Sequence, residues 1–501
     1  MTETKEPSDS VGNKVIVGVI WMVILKISIR SMALVSLTIL ARLLTPEDFG
    51  VVAMAMFVSA ILNSIAWFGF DTALIQNQEA TDEHYNTAFT FNVIFYTTVA
   101  MLLVALAEPV ASYYREPRVV GILYMMALGA FVFGLENIGV VNFRKHMKYE
   151  KDFQFMLSKK VIAFVVTIPL AFLWRNYWAL VVGVLASRIG GTLMSYFLSS
   201  FRPRFSLQKA GELFAFSKWL FLSTLFGTLR TRIAEPILGR MSGPASLGHF
   251  NMGYEISNMP TTELVAPINR AVYPGYAKIK NDMEAMRAGY LKVIAIISLL
   301  ALPAAAGIGV TAPLLVPVWL GDKWIDSIQV MQVLAFSGAL TAITTNSGAV
   351  FLAVGRPRTL AMVSGGFVAV LIVLIIPMTE KFGPIGAAWA YVITALIMNP
   401  VLYAIMFRLI DLKWMAFLGT LWRPVVSSAL MLGTVHLLMK WMAMTSLAQT
   451  FQLILAVLTG VVTYLVVATV LWLLAGKPQG AEIDLVQRVW PIIRKRLPGQ
   501  R

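Results

Sequence analysis

The sequence predicts an all-α polytopic membrane protein of about fourteen transmembrane helices, arranged as two homologous lobes followed by two further helices. Three observations carry that prediction. The 501 residues are 58% hydrophobic and only 13% charged, whereas soluble domains carry roughly a quarter charged residues. Apolar runs long enough to cross roughly 30 Å of hydrocarbon recur along the whole chain. Residues 21–54 also align with residues 219–252 at a constant offset of 198, setting Trp21 over Trp219, Arg42 over Arg240, Pro46 over Pro244, Gly50 over Gly248 and Met54 over Met252. The duplicated unit is a helix–turn–helix hairpin. Transporters are commonly built from two such lobes with the substrate site between them.

Taken in order, residues 1–14 are polar and acidic and read as a cytoplasmic tail. No short apolar stretch with a small-residue cleavage site precedes the first span, so no cleaved signal peptide is expected. The first lobe, 15–200, holds spans at 15–43, 47–75, 86–108, 118–143, 154–174 and 178–200. A basic cytoplasmic linker, 201–211, leads to the second lobe, 212–407, with spans at 212–239, 246–274, 286–312, 327–354, 358–378 and 384–407. Two more, at 421–439 and 450–475, fill 408–475. The tail 476–501 mixes Ile483, Leu485, Val486, Val489, Trp490 and Ile493 with basic residues and reads as a helix lying on the inner leaflet.

Lys and Arg collect on one side of this topology, in the segments around 144–160, 202–218, 278–292, 356–358, 408–423 and 477–501. Cytoplasmic loops are enriched in these residues, so both termini are expected in the cytoplasm. The acidic loop 76–85 runs against the trend and is outweighed by the sum. The net charge of +15 then reflects topology and attraction to anionic headgroups, with no nucleic-acid partner required.

Several function classes drop out. The chain has no cysteine and four histidines, His84, His146, His249 and His436, in no metal-binding spacing; thiolate chemistry and metal sites are not expected. Gly476-Lys477 is followed by Pro478, so it is not a Walker motif, and no nucleotide is expected. The loops are too short to fold a catalytic domain. No cofactor is implied, and work must come from an ion gradient, a substrate gradient or a partner.

In the duplicated turn, Thr45 is placed to cap a helix that opens with Pro46, with Glu47 and Asp48 in the first turn where the helix dipole favours acids. The plain reading is a reproducible helix start; a second is that Arg42 and Arg240 guide substrate at the outer mouth.

Charged residues inside spans carry the functional reading. Lys26, Arg30, Arg188, Arg230, Arg232 and Arg270 fall within apolar segments, where each would cost about 2.5–3.5 kcal/mol facing lipid at mid-membrane. They are expected to line a wet cavity or to pair with the buried acids Asp71, Glu136, Glu235, Glu255 and Glu263. Lys26 and Arg30 share one helical face. Arg230 and Arg232 lie about 200° apart on a helix, so one of them points at the cavity, and Arg232 is spaced to pair with Glu235. Converging cations in a low-dielectric space favour an anion, and Arg suits phosphate oxygens. Pro236, Pro260 and Pro267 interrupt helical hydrogen bonding and are candidate hinges.

The block Leu40-Ala41-Arg42-Leu43-Leu44-Thr45-Pro46-Glu47-Asp48-Phe49-Gly50, with Gly69-Phe70-Asp71-Thr72-Ala73-Leu74 and Gly383-Pro384-Ile385-Gly386-Ala387-Ala388-Trp389, resembles the Wzx-type polysaccharide flippases, in the WzxC-like branch. The likeness runs from about residue 10 to residue 475. It implies the multidrug/oligosaccharidyl-lipid/polysaccharide superfamily, in which two six-helix lobes face each other in a V, as in multidrug (MATE) exporters, and work by alternating access. It further implies a cargo of undecaprenyl-pyrophosphate-linked oligosaccharide, moved across a bacterial inner membrane for lipopolysaccharide or exopolysaccharide synthesis beside glycosyltransferases and a polysaccharide polymerase. On that resemblance the cavity cations, with Lys26 and Arg30 first, hold the pyrophosphate. Asp71, Glu136, Glu255 and Glu263 become candidates for proton or sodium coupling. Three rivals remain open from the residues: a multidrug cation exporter, against which the excess of buried cations speaks; a membrane-embedded polymerase or glycosyltransferase, against which the short outer loops speak; and an inert scaffold for the synthesis complex, which would leave the mid-membrane charges unexplained.

Overall fold

A computed structural model of the chain describes residues 8–476 apart from 67, 68, 78, 147 and 215–217. The described residues are helices joined by short turns, with no strand among them. They form two compact units, Met1–Gly248 and His249–Arg501. The expected inner-leaflet helix at 481–496 lies outside the described residues.

The first unit contains α1 (Ser8–Leu43), α2 (Pro46–Ala66), α3 (Phe70–Gln76), α4 (Asp82–Tyr114), α5 (Arg118–Gly134), α6 (Val141–Lys145), α7 (Tyr149–Trp174), α8 (Trp178–Leu198), α9 (Ala210–Phe214), α10 (Lys218–Arg232) and the opening part of α11 (Ala234–Ser257). The start of α2 is built as its sequence dictates. Asp48 Oδ2 accepts from the Thr45 backbone N–H at 2.9 Å and from its hydroxyl at 2.7 Å, while the Asp48 N–H donates back to Thr45 Oγ1 at 3.2 Å. This reciprocal box satisfies donors that the helix leaves open. Asp48 Oδ1 accepts from the Tyr177 N–H at 3.1 Å, which fixes the start of α8 to the same turn.

The two copies of the duplicated hairpin touch through their matching residues. A Cβ added to Gly50 would lie 1.8 Å from the Pro244 carbonyl oxygen, and one added to Gly248 would lie 1.8 Å from the Pro46 carbonyl oxygen. The offset that aligns the sequences thus also relates the contact, and only glycine lets the backbones come so close. Nearby, α10 packs on α2, with Ser64 Oγ and Thr228 Oγ1 2.9 Å apart.

Between α5 and α6 the chain bends by 64°. Buried Asn137 holds the bend: its N–H donates to Ser195 Oγ at 2.9 Å, its Oδ1 accepts from the Gly139 N–H at 2.9 Å and its Nδ2 donates to the Phe201 carbonyl at 2.7 Å. The segment that follows α8 lies as a strap along the first turns of α4. The Arg204 N–H donates to Asn86 Oδ1 at 2.8 Å, the Ser206 N–H to Thr90 Oγ1 at 2.9 Å, and Ser206 Oγ to Glu83 at 2.9 Å. Phe201 packs on Tyr85, Phe205 on Phe89, and His84 Nε2 meets Glu212 at 3.0 Å.

The second unit takes up the remainder of α11, a π-helical turn (Pro260–Val265), α12 (Ala266–Lys278), α13 (Met283–Trp319), α14 (Ser327–Ala353), α15 (Pro357–Ile410), α16 (Trp414–Met442) and α17 (Gln449–Leu474). Its core is built on Tyr276, Tyr290, Ile294, Phe351 and Phe407, and three polar side chains within it bond in a row: Tyr276 OH donates to Asn346 Oδ1 at 2.9 Å, and Asn346 Nδ2 to Asn269 Oδ1 at 2.8 Å. The two terminal helices dock on α13, where Tyr464 OH donates to the Leu299 carbonyl at 2.8 Å.

Two long helices are broken at a Gly-Pro pair. Gly243 (φ 80°) interrupts α11 before Pro244, and Gly383 (φ 59°) interrupts α15 before Pro384. A straight helix of 54 residues would run about 80 Å, more than twice the hydrocarbon thickness; the break makes two legs of it. Among the described residues ten helices are long and apolar enough to cross a membrane, or eleven if the bent 118–145 pair is one span. The expected fourteen is not reached on that measure, because α10, α11 and α12 fall short of it and α15 counts once.

Candidate functional site

Inside the first unit, α2, α4, α5, α8 and α10 enclose a cavity of about 310 Å³ lined by Val52, Met56, Ser59 and Asn63, Tyr96, Met125, Met126, Gly129 and Phe133, Val181, Leu185 and Arg188, and Arg232. Most of the wall is apolar, and the charged groups on it are two guanidiniums.

Arg188 packs its aliphatic stem beside Gly129, where an added Cβ would sit at an ordinary contact distance of 3.7 Å from Arg188 Cγ. Its guanidinium lies over the face of Phe133, 4.3 Å from the ring centroid, and Tyr96 packs edge-on against the same ring at 4.7 Å. A cation is stabilised over an aromatic face without its donors being consumed. Among the described residues no carboxylate lies within 4.0 Å of Arg188, and the residue lines the cavity. Arg232 is in the opposite condition. Its Nη1 is 2.9 Å from Glu235 Oε1, which bears out the spacing argument. Asn63, one turn above Ser59 and bonded to it at 3.0 Å, adds neutral polar groups to the wall.

Behind Phe133 lies a second layer of charge. Lys159 Nζ is 2.5 Å from Glu136 Oε2 and 4.4 Å from the Phe155 centroid, and Glu136 also feels Asp71 and Arg188. Arg144 stands 3.6 Å from both Asp71 and Asp152. The structure therefore gathers Asp71, Glu136, Arg188 and Arg232, four of the sequence candidates, in and around one cavity.

The other candidates lie elsewhere. On α1, Lys26 is exposed and Arg30 half-buried; neither belongs to the cavity wall. Arg230 is half-buried on α10, and it is Arg232 of that pair that lines the cavity. In the second unit, Arg270 and Glu255 are exposed and Glu263 is half-buried. Pro236 sits in the first turn of α11, where its missing N–H costs nothing. Pro260 opens the π-helical turn, and Pro267 follows at the start of α12, so these two flank a change of helix type within a continuous helical run. Sequence reading missed Phe133, Asn63, Arg144 and Lys159. The sequence marks the last two only as cytoplasmic-side charge, and their roles as partners follow from the bend after α5.

Outside the membrane-spanning helices, the hydrogen bonds and charge of Arg118 hold the Glu116 carboxyl below its usual range, and Arg118 also bonds Glu47. Lys209 and His84 lower Glu212 in the same way.

The sequence model of the polysaccharide biosynthesis protein family matches residues 39–329. The chain is 24% identical over 424 residues to the lipopolysaccharide biosynthesis protein WzxC of Escherichia coli (strain K12), spanning 83% of this chain and 85% of that one. Its fold is similar to that of the lipid II flippase MurJ in an inward closed conformation, with a TM-score of 0.73 over 90% of this chain and 99% of that chain at 14% identity. It is also similar to an inward-facing MATE family transporter of the MOP superfamily, with a TM-score of 0.62 over 75% and 94% at 15% identity. The predicted fold class is thus the observed one, and by its match over residues 39–329 the chain belongs to the polysaccharide biosynthesis protein family.

Proposed function

We propose that this protein is a flippase that moves undecaprenyl-pyrophosphate-linked oligosaccharide repeat units from the cytoplasmic to the outer leaflet of a bacterial inner membrane, feeding exopolysaccharide or lipopolysaccharide synthesis. It acts as a transporter, not an enzyme. The observation that carries the reading is Arg188: a cavity guanidinium held by an aromatic face, with no carboxylate within 4.0 Å among the described residues. Such a group is available to a phosphoryl oxygen. The family match supplies the polysaccharide side of the reading, and the shared fold with a flippase and a transporter supplies the transport side.

In this reading the lobes are 15–200 and 212–407, both termini are cytoplasmic, and alternating access exposes the cavity to each leaflet in turn. A proton or sodium gradient drives the cycle, with Asp71 and Glu136 the leading carboxylates because they belong to the ion pairs with Arg144 and Lys159 in the same unit as the cavity, ahead of Glu255 and Glu263. Lys26, Arg30, Arg230 and Arg270 serve as secondary contacts for the cargo or headgroups. Glycosyltransferases and a polymerase of the same pathway are its working partners. A multidrug cation exporter of this fold would need an acidic cavity, and two guanidiniums on the wall oppose that.

The test is thermal stabilisation of the purified protein by undecaprenyl pyrophosphate, set against the uncharged polyprenol and lipophilic cations. Stabilisation by the pyrophosphate lipid alone is expected, lost in Arg188→Ala and partly kept in Arg188→Lys. Surface polysaccharide in cells carrying Arg188→Ala should fall at least tenfold at equal protein level, the loss of about 1.4 kcal/mol or more of binding. Stabilisation by cations instead would reject the reading.

A further inference from the structure

The two cavity guanidiniums differ in one respect that the proposed function leaves unused: Arg188 is open to a ligand, while Arg232 is already held by Glu235 at 2.9 Å. Glu235 is itself buried, with its side chain 8% exposed, and its second oxygen, Oε2, has no hydrogen-bond partner although it is shut away from solvent. A buried carboxylate with one satisfied oxygen depends on that single ion pair. Removing the partner leaves an uncompensated charge, and the group then takes up a proton.

We propose that Glu235 holds Arg232 in reserve and binds a proton when an anion in the cavity claims the guanidinium. The proposal rests on the flippase reading and concerns how the same cavity distinguishes anions. One phosphoryl group is met by Arg188. A second, adjacent phosphoryl group reaches Arg232, displaces Glu235 and leaves the carboxyl to be neutralised by a proton from solvent. Charge balances: the anion's added negative charge takes the guanidinium, and the proton replaces the guanidinium at the carboxylate. The cavity therefore prefers a diphosphoryl group to a monophosphoryl one, and its binding is linked to proton uptake.

Among the described residues, Arg232 is the charged group bonded to Glu235. Besides Arg232 on α10, α4 brings buried Tyr114 to this end of the unit, beside Gly239 of α11. Tyr113 donates to the Pro236 carbonyl at 3.3 Å and packs against Arg240. Linkage is reciprocal: if anion binding takes up a proton, raising the pH must weaken anion binding, by up to about tenfold per pH unit for one proton.

The test uses the full-length protein in nanodiscs, with undecaprenyl pyrophosphate and undecaprenyl monophosphate as probes, read by affinity across the acid-to-neutral range and by proton uptake in weakly buffered solution. In the wild type the pyrophosphate lipid should bind more tightly at lower pH with net proton uptake, and the monophosphate lipid should show only the pH dependence of its own phosphate. Glu235→Gln, which mimics the protonated group, should bind the pyrophosphate lipid as tightly as wild type does in acid and lose the extra pH slope; the lipid's own titration is common to both proteins and cancels in the comparison. An unchanged slope in Glu235→Gln, or wild-type binding without proton uptake, overturns the proposal and leaves the flippase reading standing. No binding of either lipid by the wild type overturns both. Proton uptake by the wild type needs no variant, so a misfolded Glu235→Gln would not protect the idea.

Discussion

At the scale of single residues, a cation's usefulness depends on which neighbour reaches it first. Arg188 and Arg232 look alike in sequence and differ in the structure because Phe133 meets one and Glu235 the other. The second pairing was legible, since three residues on a helix bring side chains together; the first was not, since Phe133 lies on a different helix and no local pattern links it to α8. Lys26 and Arg30 show the reverse: their shared face was readable, but the place of α1 relative to the cavity was not. A separate expectation concerns Glu116, whose carboxyl is held low by Arg118 at 2.7 Å. A depressed carboxylate contributes stability that is present above its unfolded value of 4.5 and is lost as pH falls through the folded one. Glu116→Gln should therefore lower stability by about 1 kcal/mol at neutral pH, and the gap to wild type, read as melting temperature, should close on acidification below the carboxylate range.

At the scale of elements, glycines decide where helices approach and where they break. Gly243 and Gly383 stand at positive φ directly before proline. That combination was visible in sequence as boundaries between spans, because a proline restricts the residue before it. The close approach of Gly50 and Gly248 was visible only as a repeat, since periodicity does not say that two copies touch. Gly50→Ala and Gly248→Ala should each destabilise the protein by about 1–3 kcal/mol through overpacking against a carbonyl that cannot rotate away. The double variant should cost less than the sum, because one separation of the two turns relieves both clashes. Gly419→Ala, in α16 with open space around it, should be neutral or stabilising by up to about 1 kcal/mol. Thermal unfolding of the four variants decides the point; equal losses at Gly50 and Gly419 would contradict it.

At the scale of the whole molecule, composition and the 198-residue repeat were enough for the fold class, because a bilayer admits only helices and closed barrels and apolar runs of this length select helices. The polar bond networks were not readable, since they join residues such as Asn137 and Phe201 across a bend that no span pattern marks. The proposed orientation makes a direct prediction: alkaline phosphatase fused after residue 476 should be inactive and fused in the turn at 443–448 active, and the opposite pattern would invert the topology. The strap along α4 bears on how such a chain is made. Its partners on α4, from Glu83 to Thr90, precede it in sequence, as does Asn137, so it can seat as soon as it leaves the ribosome. With the tether already anchored, the later half begins assembly from a fixed point and closes a shorter loop, at lower entropic cost, and the order of synthesis becomes part of the folding route.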